Sequence, residues 1–362
     1  MKKFDIIIKN GRIWDGIQFL SNASDIAVKD GCIAEIGILQ TQSAEHIFDA
    51  RGVIIAPGFV DIHVHMKGCS SDAFGISIEP VCFPFGVTTA VDASADEEYT
   101  DGLFTNMWLN SYVFVNSSIK NNDVDLAKTE RLIKSYGKRV IGIKVFFDAT
   151  ISEIKDTKPL SKICEYAHTK GLKVMVHSTG SPVTMSEVFD VLSNGDICSH
   201  IFHGGQNNVA DDDFYSLKRG MEKGIIIDMG MAGGVHTDFS IAEQAIKIGL
   251  LPNTISTDIT KKSAFVRGGN YGMTMAMSIM RELGMSEEKI FAAVTRSAAE
   301  AIGQENMCGG LNVGHRADIT VINYEKNGFD ITDRTGNRVK SEYGYRCLLT
   351  IANGQVVYRS NL

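Results

Sequence analysis

The stretch Asp61-Ile-His63-Val-His65 sets two imidazoles two positions apart in an apolar run. In an extended chain both point to one face, where they can share a metal ion. Three more apolar runs end in groups of the same kind: Val174-Met-Val-His177, Ile197-Cys-Ser-His200 and Ile255-Ser-Thr-Asp258. Another run, Val140-Ile-Gly-Ile-Lys144-Val-Phe-Phe, holds a lysine among apolar neighbours. An unpaired ammonium is costly in such a place. Either Lys144 pairs with a carboxylate, or its depressed pKa lets it take up CO₂ as a carbamate, an anion able to bridge two cations. Each of the other groups also has a plain reading. A His-x-His pair recurs without metal, His177 alone fits a satisfied barrel histidine, and Asp258 fits a loop cap. Their occurrence together, at matching ends of successive runs, points to one catalytic metal site.

The elements that must position these groups are strands and helices in alternation. Apolar strand-like runs begin near Phe59, Thr88, Tyr112, Val140, Lys173, Asp196, Gly224 and Asn253. Most of the stretches between them carry helix signals. Leu160, Ile163, Cys164 and Ala167 fall at i, i+3, i+4 and i+7, followed by Gly171 as a stop. Thr184-x-x-Glu187 matches a capping box, and Ser286 can cap the run through Ile290, Phe291 and Val294. Eight strand–helix units in about 250 residues predict a (β/α)₈ TIM barrel, with catalytic groups at the C-terminal ends of its strands. A doubly wound open sheet is the architectural rival. Before the barrel, short β-rich runs are separated by Asn10-Gly, Asp15-Gly and Asp30-Gly, and the tail carries similar runs around Asn353-Gly. These are hairpin signals. The reading is α/β: a barrel over 57–307, with 1–56 and 308–362 pairing into a small composite β-sandwich domain.

Composition narrows the function classes. The chain has 362 residues with 44% hydrophobic and 22% charged side chains, which is ordinary globular composition. Its net charge of −7 and lack of basic blocks argue against a nucleic-acid partner. No uncharged apolar run approaches the roughly 18 residues that a membrane helix needs. Seven scattered cysteines without a C-x-x-C pair predict buried thiols in a reducing cytoplasm rather than a disulfide framework. The expected partner is a small-molecule substrate, and homo-oligomerisation is expected only by analogy of fold.

The ordered landmarks resemble a known family. Pro57-Gly-Phe-Val-Asp-Ile-His-Val-His65, followed by Gly86-Val-Thr-Thr, is similar to the opening of the amidohydrolase superfamily. Gly142-Ile-Lys144-Val, Val176-His177, Ser199-His200-Ile-Phe and Ser256-Thr-Asp258 continue the likeness in order. The tail Gly310-Leu-Asn-Val-Gly-His-Arg-Ala-Asp-Ile-Thr-Val resembles that family's return into its β domain. The branch it looks like is the dihydroorotase-like, amidohydrolase/deacetylase metallohydrolases. The resemblance implies two divalent ions, usually zinc. His63 and His65 would hold one ion, His177 and His200 the other, with a carboxylated Lys144 bridging them and Asp258 binding the first. Two cations roughly 3.5–4 Å apart acidify a bridging water and polarise a carbonyl. Asp258 would take the proton of the attacking water and deliver it to the leaving nitrogen.

The implied activity is hydrolysis of an amide or ester, with small N-acylated amino acids as the expected substrates. A cyclic amidohydrolase opening a dihydroorotate- or hydantoin-like ring is the alternative, and a non-catalytic barrel serving as an assembly partner is the alternative of another class. Several residues bear on this choice. Lys67 stands where many dihydroorotases have an arginine that grips a substrate carboxylate, so the charge is kept and the bidentate fork is lost. His203 in His200-Ile-Phe-His203, His236 in the glycine-rich Gly230-Met-Ala-Gly-Gly-Val-His236, and Arg267 beyond Asp258 are further candidate substrate contacts. His168 is expected in a helix outside the mouth, and Met273, Met275, Met277 and Met280 as adaptable packing.

Overall fold

The computed structural model describes residues 3–22, 24–39, 43–100, 103–104, 107–266 and 270–360. Seven parallel strands lie side by side in chain order: β1 (Phe59–Val64), β2 (Val87–Ala95), β3 (Asn110–Asn116), β4 (Val140–Phe146), β5 (Lys173–His177), β6 (Ile197–Ser199) and β7 (Ile226–Asp228). Every residue of β1 and β2 is buried, as expected of parallel strands covered on both faces. The eighth position is filled by the segment around 254–259, which closes the ring through single parallel bridges, Asp228↔Thr254 on one side and Val64↔Ile259 on the other. The run expected near Asn253 thus makes contact with both neighbours without forming a ladder. The reason lies at Asp258, whose φ of 48° breaks the extended conformation and whose N–H donates to the His63 carbonyl at 2.7 Å.

The surrounding helices follow their sequence signals. Helix Lys158–Thr169 buries Leu160, Ile163, Cys164 and Ala167. Thr184 and Glu187 close a reciprocal capping box on helix Met185–Val191. Ser286 caps Glu287–Val294 by accepting from the Lys289 N–H. Met273, Met277 and Met280 are buried along helix Met273–Glu282. Burying one such aliphatic side chain stabilises the fold by about 1.5–3 kcal/mol, so these faces, more than helix propensity, hold the ring of helices in place. No helix is long and apolar enough to cross a membrane among the described residues.

The two ends of the chain meet in one sheet. Ile54–Pro57 pairs antiparallel with Ile319–Glu325, which pairs in turn with Gly344–Ala352. A second sheet orders Cys32–Gly37, Asp25–Lys29, Lys3–Lys9 and Ser43–Asp49. Ile6, Ile26, Ile55, Val321 and Ile351 form one buried cluster spanning both sheets, a sandwich core. Asp30-Gly31 and Asn353-Gly354 both have two successive positive φ values, the geometry that type I′ hairpin turns require. The sandwich is anchored to the barrel by Trp14, which is buried against Phe291 and donates through Nε1 to Thr295 Oγ1 at 3.2 Å.

Candidate metal centre

At the C-terminal mouth of the barrel, β1 delivers His63 and His65, β4 Lys144, β5 His177, the end of β6 His200, and the closing segment Asp258. All six are at most 6% exposed. His65 Nε2 lies 3.0 Å and His63 Nε2 3.4 Å from Asp258 Oδ1. Ligand atoms of His63, His65 and Asp258 form one compact group, and those of His177, His200 and His236 a second. The His200 ring is 4.9 Å from that of His63, 4.5 Å from His177 and 4.4 Å from His236, so the groups adjoin.

The hydrogen bonds set the tautomers. Ser199 Oγ donates to Asp228 Oδ2 at 2.6 Å, so its lone pair accepts the Nδ1–H of His63 at 2.8 Å. Ser70 Oγ donates to Asp92, which leaves it to accept from His65 Nδ1 at 3.0 Å, with Ser94 Oγ 3.1 Å from the same nitrogen. His200 Nδ1 donates to the Gly230 carbonyl at 2.7 Å. In all three rings Nδ1 carries the proton and Nε2 keeps a lone pair. Gly230 is required here: at φ 50°, an added Cβ would lie 2.5 Å from both His200 Nδ1 and Ser199 Oγ. His177 Nε2 is buried without a hydrogen-bond partner among the described residues, Asp148 Oδ2 being 3.6 Å away.

Electrostatics favour metal-binding forms. Burial, aided by Lys144, pushes His63 down to about 4. Burial likewise takes His177 and His236 to about 4 and His200 well below its ordinary range. These four imidazoles are therefore neutral, the form that donates to a cation. Burial alone would raise the Asp258 carboxyl, but in acid, where that group would titrate, the protonated forms of His63, His65 and His236 outweigh it and hold the group well below the usual carboxylate range. Lys144 is wholly buried and pushed down to about 8, with Nζ 3.2 Å from His63 Nε2. No carboxylate among the described residues lies within ion-pair distance of it, so the plain pairing expected as one of its two readings is not made. Converging neutral imidazoles, one carboxylate and an orphaned buried nitrogen fit a pair of divalent cations; nitrogen and oxygen donors of this kind suit Zn²⁺ or its first-row neighbours.

The remaining candidates separate. His236 lines a cavity of about 340 Å³ together with His63, His65, His177, His200 and Asp258, and its Nε2 is 3.9 Å from Asp258 Oδ2. His203 is buried outside that lining, its Nδ1 accepting from the Gly205 N–H. Lys67 is exposed and lines a separate groove with Ile76 and Leu103, because the turn at Met66–Ser70 carries it outward. Arg267 lies outside the described residues. His168 sits away from the mouth, bonded to Asp196 at 3.0 Å. Sequence reasoning did not single out Ser70, Asp92, Ser199 and Asp228, which orient the histidines. The one available signal was the charged end of the apolar run Ile225-Ile-Ile-Asp228.

Known proteins resemble this chain in sequence and in fold. A sequence model of the amidohydrolase family matches residues 254–358. A deacetylase from Agrobacterium fabrum is 32% identical over 341 residues, covering 87% of this chain and 82% of its own. The chain belongs to the amidohydrolase superfamily. This amidohydrolase superposes on the crystal structure of a dihydroorotase with a TM-score of 0.86 at 27% identity, covering 98% of this chain and 99% of the other. An adenine deaminase structure gives a TM-score of 0.85 at 25% identity over 99% and 100% of the chains. The protein is a hydrolase acting on carbon–nitrogen bonds.

Proposed function

We propose that this amidohydrolase removes the acyl group from the nitrogen of a small amino-acid-like amine, with two divalent ions, zinc by preference, at the mouth of the barrel. The observation that carries the reading is the pair of adjoining donor groups, with Lys144 Nζ beside His63 Nε2. His63, His65 and Asp258 would hold one ion and His177 and His200 the other. Lys144, with no carboxylate at ion-pair distance among the described residues, would add CO₂ at Nζ, lose a proton and serve as the bridging carbamate. When bound, the ions supply an acidified water and a polarised acyl carbonyl.

The protein's own groups do the rest. Asp258 Oδ1 faces the β1 histidines, whereas Oδ2 faces His236 and the cavity. Oδ2 is therefore the atom that holds the water's proton and passes it to the leaving nitrogen. The His236 side chain is 22% exposed where those of His177 and His200 are buried, which leaves it to meet the substrate carbonyl. The relative named a deacetylase supports removal of an acyl group from an open-chain amide over ring opening. So does Lys67, which lies outside the cavity and offers no grip on a ring carboxylate there.

The test is hydrolysis of N-acetyl amino acids by wild type and Asp258→Asn, each loaded with zinc. The account expects a loss of about 10²–10⁴-fold in kcat on removing the proton acceptor, with unchanged thermal unfolding. Full activity in Asp258→Asn would remove the proposed role.

A further inference from the structure

The cavity over the histidines opens into a second, larger one of about 900 Å³ above the ends of β2, β3 and β4. The two share Phe74, Phe146 and Ile151 as a neck. Phe74 and Ile151 are apolar yet 51% and 63% exposed, an arrangement that favours covering by an apolar ligand segment. Beyond the neck the lining turns polar. Ser117 is 1% exposed, yet its hydroxyl has no hydrogen-bond partner among the described residues, and the same holds for the buried Oδ1 of Asp96 and the hydroxyl of Ser118. Buried polar atoms are rarely left so, and three of them on one cavity wall mark the place of a polar ligand group. Lys120 and Lys128 line the same wall without an ion pair to a described residue, whereas Asp123 is bonded to Lys162 and Asp125 caps its own helix.

From metal centre outward, the order is reacting bond, apolar neck, then a head site with one available carboxylate and two available ammonium groups. We propose that the 900 Å³ lobe binds the free α-amino and α-carboxylate groups of an amino acid acylated on its side-chain nitrogen. Asp96 takes the ammonium, Lys128 and Lys120 the carboxylate, and Ser117 a hydrogen bond to either. The methylenes of the side chain lie between Phe74, Phe146 and Ile151. The reaction is plain hydrolysis: the amide C–N bond breaks, water supplies hydroxyl to the acyl carbon and a proton to the nitrogen, and a diamino acid leaves. An amino acid acylated at its α-nitrogen would place its carboxylate beside the reacting bond, short of the head site. This proposal rests on the deacylase reading above and deepens it.

An isomer pair tests it: Nε-acetyl-lysine against Nα-acetyl-lysine, with N-acetylpentylamine as a probe lacking the head. The expected result is a kcat/KM at least tenfold higher for the Nε isomer. In Asp96→Asn and Lys128→Met, the ratio of kcat/KM for Nε-acetyl-lysine to that for N-acetylpentylamine should fall by about tenfold or more, mostly through KM, as loss of a charge-assisted contact predicts. Preference for the Nα isomer, or variants that slow both substrates equally, would overturn the head site while leaving the deacylase reading intact. Should none of the three be cleaved, the deacylase reading falls, and calorimetry with free lysine still decides the site. Binding to wild type that weakens tenfold or more in both variants supports it, and no binding to wild type overturns it.

Discussion

Lys144 Nζ stands 3.2 Å from His63 Nε2, with both side chains sealed from solvent and no carboxylate paired to the amine among the described residues. A neutral imidazole accepts a hydrogen bond from the amine at Nε2 but does not neutralise its charge, so the buried ammonium lacks a compensating anion at this contact. Burial moves Lys144 toward the uncharged state, at about 8, and the free amine is the form that reacts with CO₂. Protein equilibrated with ¹³C-bicarbonate and divalent metal should give one carbamate carbon resonance, absent from Lys144→Met. A spectrum without that resonance in wild type would leave the amine as the functional form.

Ser199 controls His63 by accepting its Nδ1 proton while donating to Asp228. In Ser199→Ala that relay is cut, and the His63 ring is free to turn or to switch tautomer. Loss of such an orienting partner lowers metal affinity by about 10–100-fold. Competition with a zinc chelator should show this decrease at near-native thermal stability. An affinity equal to that of wild type would mean that the relay does not orient the ring.

Two glycines separate backbone strain from site displacement. Gly230 and Gly249 both have positive φ, but an added Cβ meets His200 and Ser199 at the first and open space at the second. Gly249→Ala should cost only the left-handed backbone, about 1–3 kcal/mol. Gly230→Ala should lose more stability in thermal denaturation and bind metal more weakly, because His200 must move. Equal effects of the two substitutions on metal content would contradict the role given to the Gly230 carbonyl.

The thiols predict a pH response. Cys164, Cys198, Cys308 and Cys347 are pushed up to about 12 by burial, and Cys69 and Cys82 are also raised by it; Cys32 alone is half-buried. A raised thiol pKa means the thiol form persists from pH 7 to 9, so these six should not gain reactivity over that range. A disulfide-exchange reagent should titrate one thiol in native protein and seven in guanidinium. Several fast thiols at pH 9 would contradict the burial of this core.

Much of this was legible in the residues because local rules and tertiary demands coincide. The i, i+3, i+4, i+7 set in Lys158–Thr169 is the face that meets the barrel, and the Thr184 capping box closes as spaced. His63, His65, His177, His200 and Asp258 were readable as one site because strand ends in a parallel barrel converge. Contacts that depend on the third dimension were not readable. Ser199 and Asp228 are ordinary polar residues until neighbouring strands bring them within 2.6 Å. Lys67 is close to His65 in sequence, yet the Met66–Ser70 turn takes it out of the cavity. The closing segment looked like an eighth strand, but the left-handed Asp258 that completes the site prevents the ladder.

Metal content per chain, measured by plasma mass spectrometry on protein prepared without chelator and with bicarbonate, tests the central claim most directly. The account predicts about two equivalents of zinc or another divalent metal in wild type and about one in Lys144→Met. One equivalent in wild type after full reconstitution, or none, would contradict a lysine-bridged pair of ions at this mouth.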